Sequence, residues 1–254
     1  MLGLGNIMTG GAVLDSEYSP LALGSTLLAW YAFNQGQTNL SGTDGNADNQ
    51  FKWEDSSGGG RHATQNTDAA KPTFTDGYVE FDDASTSDTL LIATGDGALQ
   101  FGHVQSLTIS LGVRRTSTST GDRFLGADAN EFCGFAGNSD AKFQFRSGGS
   151  LIPATYASGT FPAATDFVLT FTKDDNGLVT VYKNNDELTV ASGSAITADG
   201  SADVDLSVSR IGGHISNGTS NFDGRMYEMV ICDTVLSDAD RNNVINRIKN
   251  KIGI

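Results

Sequence analysis

The amino-acid sequence predicts an all-β sandwich with a short amphipathic helix at its C-terminal end and an extended arm at its N-terminal end. Three observations lead there. Apolar residues make up 38% of the 254 and charged residues 18%, and the balance is Gly, Ser, Thr, Asn and Asp, the residues of turns and exposed strand faces. Short alternating apolar segments bounded by glycine-rich turns recur along the chain, with no fixed-period repeat and no proline-rich linker. One stretch, the last, carries an apolar stripe at helical spacing. The length suits one large all-β domain that can bury its own core.

The first element is the arm, residues 1–20, "MLGLGNIMTGGAVLDSEYSP", which is uncharged over its first fourteen residues. It has no basic n-region and glycines break its apolar run, so it does not read as a secretory signal, and it is too short and interrupted to span a bilayer. The expected setting is therefore the cytoplasm, or an assembly built there. Leu2, Leu4, Ile7, Met8, Val13 and Leu14 are the candidate docking residues. They would leave water against a partner, while the glycines let the backbone follow it closely.

Residues 21–254 form the expected domain. A first strand runs over 26–33 in "LGSTLLAWYAFNQG", followed by a polar loop and then "FKWEDSSGGGRHATQ" with a tight triple-glycine turn. "YVEFDD" gives a strand at 78–81 and "DTLLIAT" another. In "SLTISLGVRR", Leu107, Ile109, Leu111 and Val113 face one way and Thr108 and Ser110 the other, the pattern of a half-buried strand. "RFLGA", "EFCGFAG" and "KFQFRSG" are short, Phe-rich strands. "FVLTFTKDDNGLVTVYKNN" is a hairpin whose Asn-Gly pair accepts positive φ, with a second turn at Asn184–Asn185. The helix spans 237–252, with Ser237 as N-cap, Asp238 and Asp240 at its positive end, Arg247, Lys249 and Lys251 at its negative end, Val244, Ile245, Ile248 and Ile252 on one stripe, and Gly253 to close it. Many short strands and one terminal helix make the expected sandwich a jelly roll.

Charge and motif content exclude several classes. The net charge of −14 repels nucleic acid and anionic membranes. Cys133 and Cys232 lie in apolar stretches and read as buried thiols, a disulfide being the alternative. There is no G-x-S-x-G elbow and no phosphate-loop ending, and His62, His103 and His214 are scattered. Paired carboxylates for glycoside hydrolysis are not evident: Glu80, Asp82 and Asp83 in "VEFDDAS", and Asp203 and Asp205 in "DVDLSVS", lack a third acid at the required spacing.

Several stretches in order, chiefly "WEDSSGGGRHAT" and "FDGRMYEMVICDTVLSDADR", resemble the concanavalin A-like, LamG-type jelly roll over residues 25–254. That fold serves lectins, carbohydrate-binding modules, glycosidases and viral surface proteins, so it does not choose a function. Joined to the uncharged arm, the domain resembles small virion proteins of tailed bacteriophages. This resemblance implies a non-enzymatic structural protein, on capsid, fibre or tail, assembling with other virion proteins or as a homo-oligomer. The alternative is a lectin-like carbohydrate-binding module outside a virion, calcium-assisted. In both cases cell-surface polysaccharide is a candidate partner. The candidate calcium ligands are Asp44, Asn46, Asp48 and Asp55, spaced like a calcium loop but with Asn49 where glycine is usual and no flanking helices. The resemblance also implies a structural calcium at the rim. Candidate stacking platforms for sugar rings are Tyr18, Tyr156, Phe161 and Tyr182, while Trp30 and Trp53 read as core.

Overall fold

The computed structural model describes residues 17–43, 49–82, 88–92, 99–101, 105–118, 122–137, 139–147, 150–192, 196–197, 206–213 and 221–254. They form two antiparallel sheets face to face. The first sheet runs Asp186–Glu187, Leu178–Lys183, Phe167–Lys173, Leu107–Arg115, Gly224–Cys232, Tyr78–Phe81 and Thr73–Thr75 in hydrogen-bonded order. Leu27–Tyr31 also pairs with Gly224–Cys232, and Ile196–Thr197 with Leu178–Lys183. The second sheet runs Ser150–Thr155, Lys142–Ser147, Glu131–Phe135, Asp122–Asp128, Arg210–Ile211, Leu90–Ile92, Ala63–Gln65, Phe51–Trp53 and Gln37–Asn39. Leu99–Phe101 and Leu206–Val208 pair separately. The expected all-β sandwich is the observed fold.

Between the sheets, phenylalanines from both layers meet ring to ring. Phe124 and Phe143 of the second sheet lie 6.3 and 5.3 Å from Phe171 of the first, and Phe135 lies 6.1 Å from Phe167. Aromatic pairs at such spacings add about 0.5–1.5 kcal/mol each beyond their buried area. Trp53 is fully buried in this core.

The other side of the first sheet is also covered, which changes one expectation. The strand Leu107–Arg115, expected to be half-buried, is buried on both sides, as is its neighbour Phe167–Lys173. The cause is the C-terminal helix, Asp238–Ile252, whose Val244, Ile245 and Ile248 pack on Trp30, Val168, Val230 and Cys232. The polar residues on the covered face pair among themselves. The Thr170 hydroxyl donates to Ser110 Oγ at 2.9 Å; the Thr108 hydroxyl donates to the Thr234 carbonyl at 2.7 Å and accepts from Leu236 N–H at 3.0 Å. Buried hydroxyls with partners carry no desolvation penalty of the unpaired kind. The helix ends are as expected: Ser237 Oγ accepts from Asp240 N–H, and Gly253 closes the helix at φ 78°. The first strand is shorter than expected, Leu27–Tyr31, because Pro20–Thr26 is a 3-10 segment and Asn34 turns the chain at φ 50°.

A bulge lets the sheet hold the helix. Met226 pairs with Val113 but Met229 with Leu111, so the strand Gly224–Cys232 carries one extra residue here. Met226 and Met229 both point into the sandwich core. Tyr227 and Glu228 therefore fall between them, with Tyr227 against Gly112 on the helix side, where a Cβ on Gly112 would sit 2.8 Å from Ile248. Cys133 lies in the inter-sheet core and Cys232 beneath the helix, both free thiols.

One buried carboxyl makes stability depend on pH. Asp88 is 8% exposed, and its Oδ2 accepts the Asp82 N–H at 3.0 Å. Burial raises its pKa from the ordinary carboxylate range to about 7, with the Asp82 hydrogen bond opposing and the Asp82 charge adding. The folded state thus holds this proton over a pH range where the unfolded chain has released it. The corresponding stability is fully present below the unfolded pKa, near 4, and is lost as pH rises through 7. Asp88→Asn is expected to raise the melting temperature at pH 8, leave it nearly unchanged at pH 4, and flatten the profile between. Thermal melts across that range check it.

Candidate functional site

The structure locates the sequence candidates unevenly. Leu2, Leu4, Ile7, Met8, Val13 and Leu14, together with Asp44, Asn46, Asp48, Asp83, Asp203, Asp205, His103 and His214, lie outside the described residues. Asp55 is described, and it organises a turn. Its Oδ1 accepts Trp30 N–H and Ser57 N–H, both at 2.9 Å, and its Oδ2 accepts Arg61 N–H at 3.1 Å. Its own N–H donates to His62 Nδ1 at 3.1 Å, and the Tyr31 hydroxyl closes the turn on the Arg61 carbonyl at 2.7 Å. Gly58 and Gly60, at φ 89° and 72°, give the backbone the curvature this carboxylate needs. Three accepted bonds use most of the lone-pair capacity of a carboxylate. Among the described residues, no three His, Cys, Asp or Glu side chains converge as metal ligands.

The stacking platforms need correction. Phe161 is fully buried, Tyr156 is 4% exposed and Tyr182 is 7% exposed. Phe161 lies 5.1 Å from Phe135 and 5.7 Å from Tyr156, inside the aromatic core. Tyr182 lies beneath the helix residue Arg241, whose guanidinium is 4.1 Å from the ring centroid. These three rings have no open face, because the sandwich interior and the helix claim them. Tyr18 is partly buried against the helix cluster, with its hydroxyl enclosed. Glu80 pairs with Arg225 at 3.2 Å, and the Asp82 N–H is held by Asp88. Trp30 and Trp53 are both buried, as the strand context implied.

The best candidate site is the outer face of the second sheet. One cross-strand row follows the register from the edge strand Gln37–Asn39 as far as Lys142–Ser147: Thr38, Lys52, Thr64, Leu91, Arg210, Gly126, Phe132 and Arg146. Its strand neighbours Trp53, Ala63, Leu90, Ile211, Cys133 and Phe145 all point into the core, so period-2 alternation turns the row outward. Thr38 and Leu91 are exposed; Lys52, Thr64, Arg210 and Arg146 are partly so. Arg123 stands on the same face, its partner across the strand being Gly134, and a Cβ on Gly134 would come 2.6 Å from the Arg123 Cα. The Arg123 guanidinium lies 4.2 Å from the Phe132 ring centroid and that of Arg146 lies 6.0 Å away. Phe132 is thus an apolar ring roofed by cations, belonging to neither hydrophobic cluster. Burial, then the like charge of Arg146, holds Arg123 below its ordinary pKa; burial does the same to Arg210.

A recess lies at the edge formed by Gln37–Asn39 and the segment before Thr73–Thr75. It is an open recess of about 480 Å³ lined by Asn39, Leu40, Ser41, Asp68, Lys71, Pro72 and Thr73. Its one cation is already engaged, since Lys71 Nζ donates to Asp68 Oδ1 at 2.8 Å, to the Leu40 carbonyl at 3.0 Å and to Asn49 Oδ1. No aromatic ring lines it, so a sugar would have no surface there on which to stack.

No family model matches the chain, and no curated protein matches it. Its fold does match solved structures. The binding domain of Paraclostridial Mosquitocidal Protein 1 superposes with a TM-score of 0.58 at 12% identity, over 91% of this chain and 54% of that one. A mutant of Trypanosoma rangeli sialidase displaying trans-sialidase activity gives 0.54 at 13% identity, over 90% of this chain and 34% of that one. Domain 4 of AbnA, a GH43 extracellular arabinanase from Geobacillus stearothermophilus, solved in complex with arabinotriose, gives 0.54 at 16% identity, over 87% and 98%. The chain spans about a third of the sialidase and just over half of the mosquitocidal chain. At these identities the likeness is one of fold: a β-sandwich shared with binding domains of larger proteins and with a sialidase chain.

Proposed function

We propose that the protein is a non-catalytic glycan-binding module that meets saccharide on the outer face of its second sheet. The carrying observation is the row from Thr38 to Arg146, which puts polar and cationic side chains and the exposed Leu91 in one cross-strand register on a rigid support. Sugars are recognised by a few placed hydrogen-bonding groups beside apolar contact, and a sheet face fixes both better than a loop does. The AbnA domain, of the same sandwich architecture and solved with arabinotriose, supports this reading over a virion role. The virion-assembly alternative rests on residues 1–16, outside the described part, and the comparisons add nothing to it. Calcium assistance through Asp44, Asn46 and Asp48 belongs to the same proposal, with Asp55 engaged by its turn, and is read by repeating the binding assay with chelator.

The test is a glycan array followed by affinity measurement on the saccharides retained. Leu91→Ala, which removes exposed apolar surface from the row, is expected to weaken binding roughly three- to tenfold. Leu178→Ala, equally exposed on a hairpin of the other sheet, is expected to leave it unchanged. Retention of no saccharide, or equal effects of the two substitutions, overturns the proposal.

A further inference from the structure

We propose that Lys71 and Asn49 join in an intramolecular amide bond between their side chains, with Asp68 as the proton carrier. This goes beyond the glycan-binding reading and does not depend on it. The outermost strand of each sheet, Gln37–Asn39 in the second and Thr73–Thr75 in the first, borders one recess, and Lys71 and Asp68 line it. Asn49 is fully buried beside it, and the Lys71 side chain is only 8% exposed. Lys71 Nζ donates to Asp68 Oδ1 at 2.8 Å, to the Leu40 carbonyl at 3.0 Å and to Asn49 Oδ1. A lysine seeking only a counter-charge needs the carboxylate alone. This one also lies against a buried carboxamide, with a carboxylate in contact with the same nitrogen.

The groups the reaction needs are in place. A lysine attacks a carbonyl carbon as the neutral amine, and Asp68 is within proton-transfer reach of Nζ, so it takes the first proton. Rotation about the Cε–Nζ bond then turns the freed lone pair toward Asn49 Cγ, the carbon bonded to the oxygen that Nζ touches. Negative charge builds on Asn49 Oδ1, which already accepts the Gly42 N–H at 3.1 Å, an oxyanion donor set before the reaction begins. The leaving nitrogen, Asn49 Nδ2, donates to the Asn66 carbonyl at 3.4 Å, a long and weak bond to give up. Asp68 passes its proton to Nδ2 and receives the second one from Nζ. The Nζ–Cγ bond forms, the Cγ–Nδ2 bond breaks, and ammonia leaves by the recess. Asp68, 64% exposed, returns its last proton to water, where the ammonia becomes ammonium; nothing is oxidised or reduced. The product closes residues 49–71 into a loop and ties Phe51–Trp53 of the second sheet to Thr73–Thr75 of the first. Neither cysteine serves that purpose, since both are free and buried. A cross-link of this kind constrains the unfolded chain and so favours the folded one.

Intact mass spectrometry of the whole purified protein, unfolded before injection, tests the proposal. The native chain is expected to be one ammonia lighter than its sequence, and its proteolytic digest to hold a branched peptide joining the Asn49 segment to the Lys71 segment. Lys71→Arg and Asn49→Ala are expected to show their own full masses and no branched peptide. In freshly purified Asp68→Asn the bonded fraction is expected to fall roughly tenfold or more. A native chain still at full mass after prolonged incubation overturns the proposal, and this reading needs no variant to fold. Loss of ammonia that persists in Lys71→Arg overturns it too, because a cyclic imide at Asn176–Gly177 would release the same molecule. A bonded fraction in Asp68→Asn equal to that of the native chain overturns the role given to Asp68 while the bond stands.

Discussion

Replacing Arg115 with methionine is expected to cost about 3–5 kcal/mol of folding stability, the range for breaking a buried ion pair from one side. Arg115 and Asp122 are both fully buried, with Arg115 Nε donating to Asp122 Oδ2 at 2.6 Å. The same guanidinium donates through Nη1 to the Ser139 carbonyl at 3.0 Å and the Phe161 carbonyl at 3.2 Å, and lies 4.5 Å from the Phe135 centroid. One side chain thus ties the end of a first-sheet strand to the opposite sheet and to two connecting segments. Methionine would fill the volume but leave the Asp122 carboxylate enclosed without its cation, and burial already pushes that carboxyl up to about 6 despite the arginine. The companion Arg115→Met/Asp122→Leu removes both charges and is expected to recover much of the loss, though not the two carbonyl contacts. Urea unfolding of both variants decides it. A single variant within about 1 kcal/mol of the native protein, or a double variant no better than the single, rejects the pair as the source of stability.

Arg115 also shows how far the sequence could be read. The alternation of Leu107, Ile109, Leu111 and Val113, carried one step further, puts Arg115 on the inward row, so its burial was legible in "SLGVRR". Its partner was not, because Asp122 begins the next strand on the other sheet, and single-sequence periodicity carries no register between strands. The same limit explains the site. Arg123, Arg146 and Arg210 are visible in "DRFLGA", "FQFRS" and "SRIGG" as isolated cations on strands of an acidic chain. Two successive hairpins bring Arg123 and Arg146 to Phe132, and Arg210 joins the face only because Arg210–Ile211 pairs with the far earlier strand Asp122–Asp128. The helix was read almost to the residue because its signals are local: a cap, a stripe and a closing glycine. Stacking roles for Tyr156, Phe161 and Tyr182 failed because aromatic identity says nothing of which face is covered, and here a Phe-rich interior and the terminal helix cover them.

Removing the Glu228 side chain is expected to have an effect of similar size, about 3–5 kcal/mol for Glu228→Ala. Glu228 is fully buried, and its Oε1 accepts both Trp30 Nε1 and Arg247 Nε at 2.7 Å. Arg247, 8% exposed on the helix, stacks 5.0 Å from the Trp30 ring and donates through Nη1 to the Tyr18 carbonyl at 2.9 Å. Glu17 sits 3.6 Å from Arg247 and 2.7 Å from Lys251. The bulge at Met226–Met229 therefore delivers an acid to the underside of the helix, where it fixes helix, first strand and the start of the described chain together. Alanine leaves Arg247 without its buried carboxylate and the indole N–H without an acceptor. Glu228→Gln keeps an oxygen for both donors but not the charge, so its cost should fall between native and alanine. Trp30 reports directly: in a Trp53→Phe background its emission should shift to the red in Glu228→Ala, as water reaches the helix seam, before the sandwich core unfolds. Were all three proteins equally stable with identical Trp30 emission, apolar contacts of Val244, Ile245 and Ile248 would be sufficient to hold the helix, and the buried carboxylate would be incidental to it.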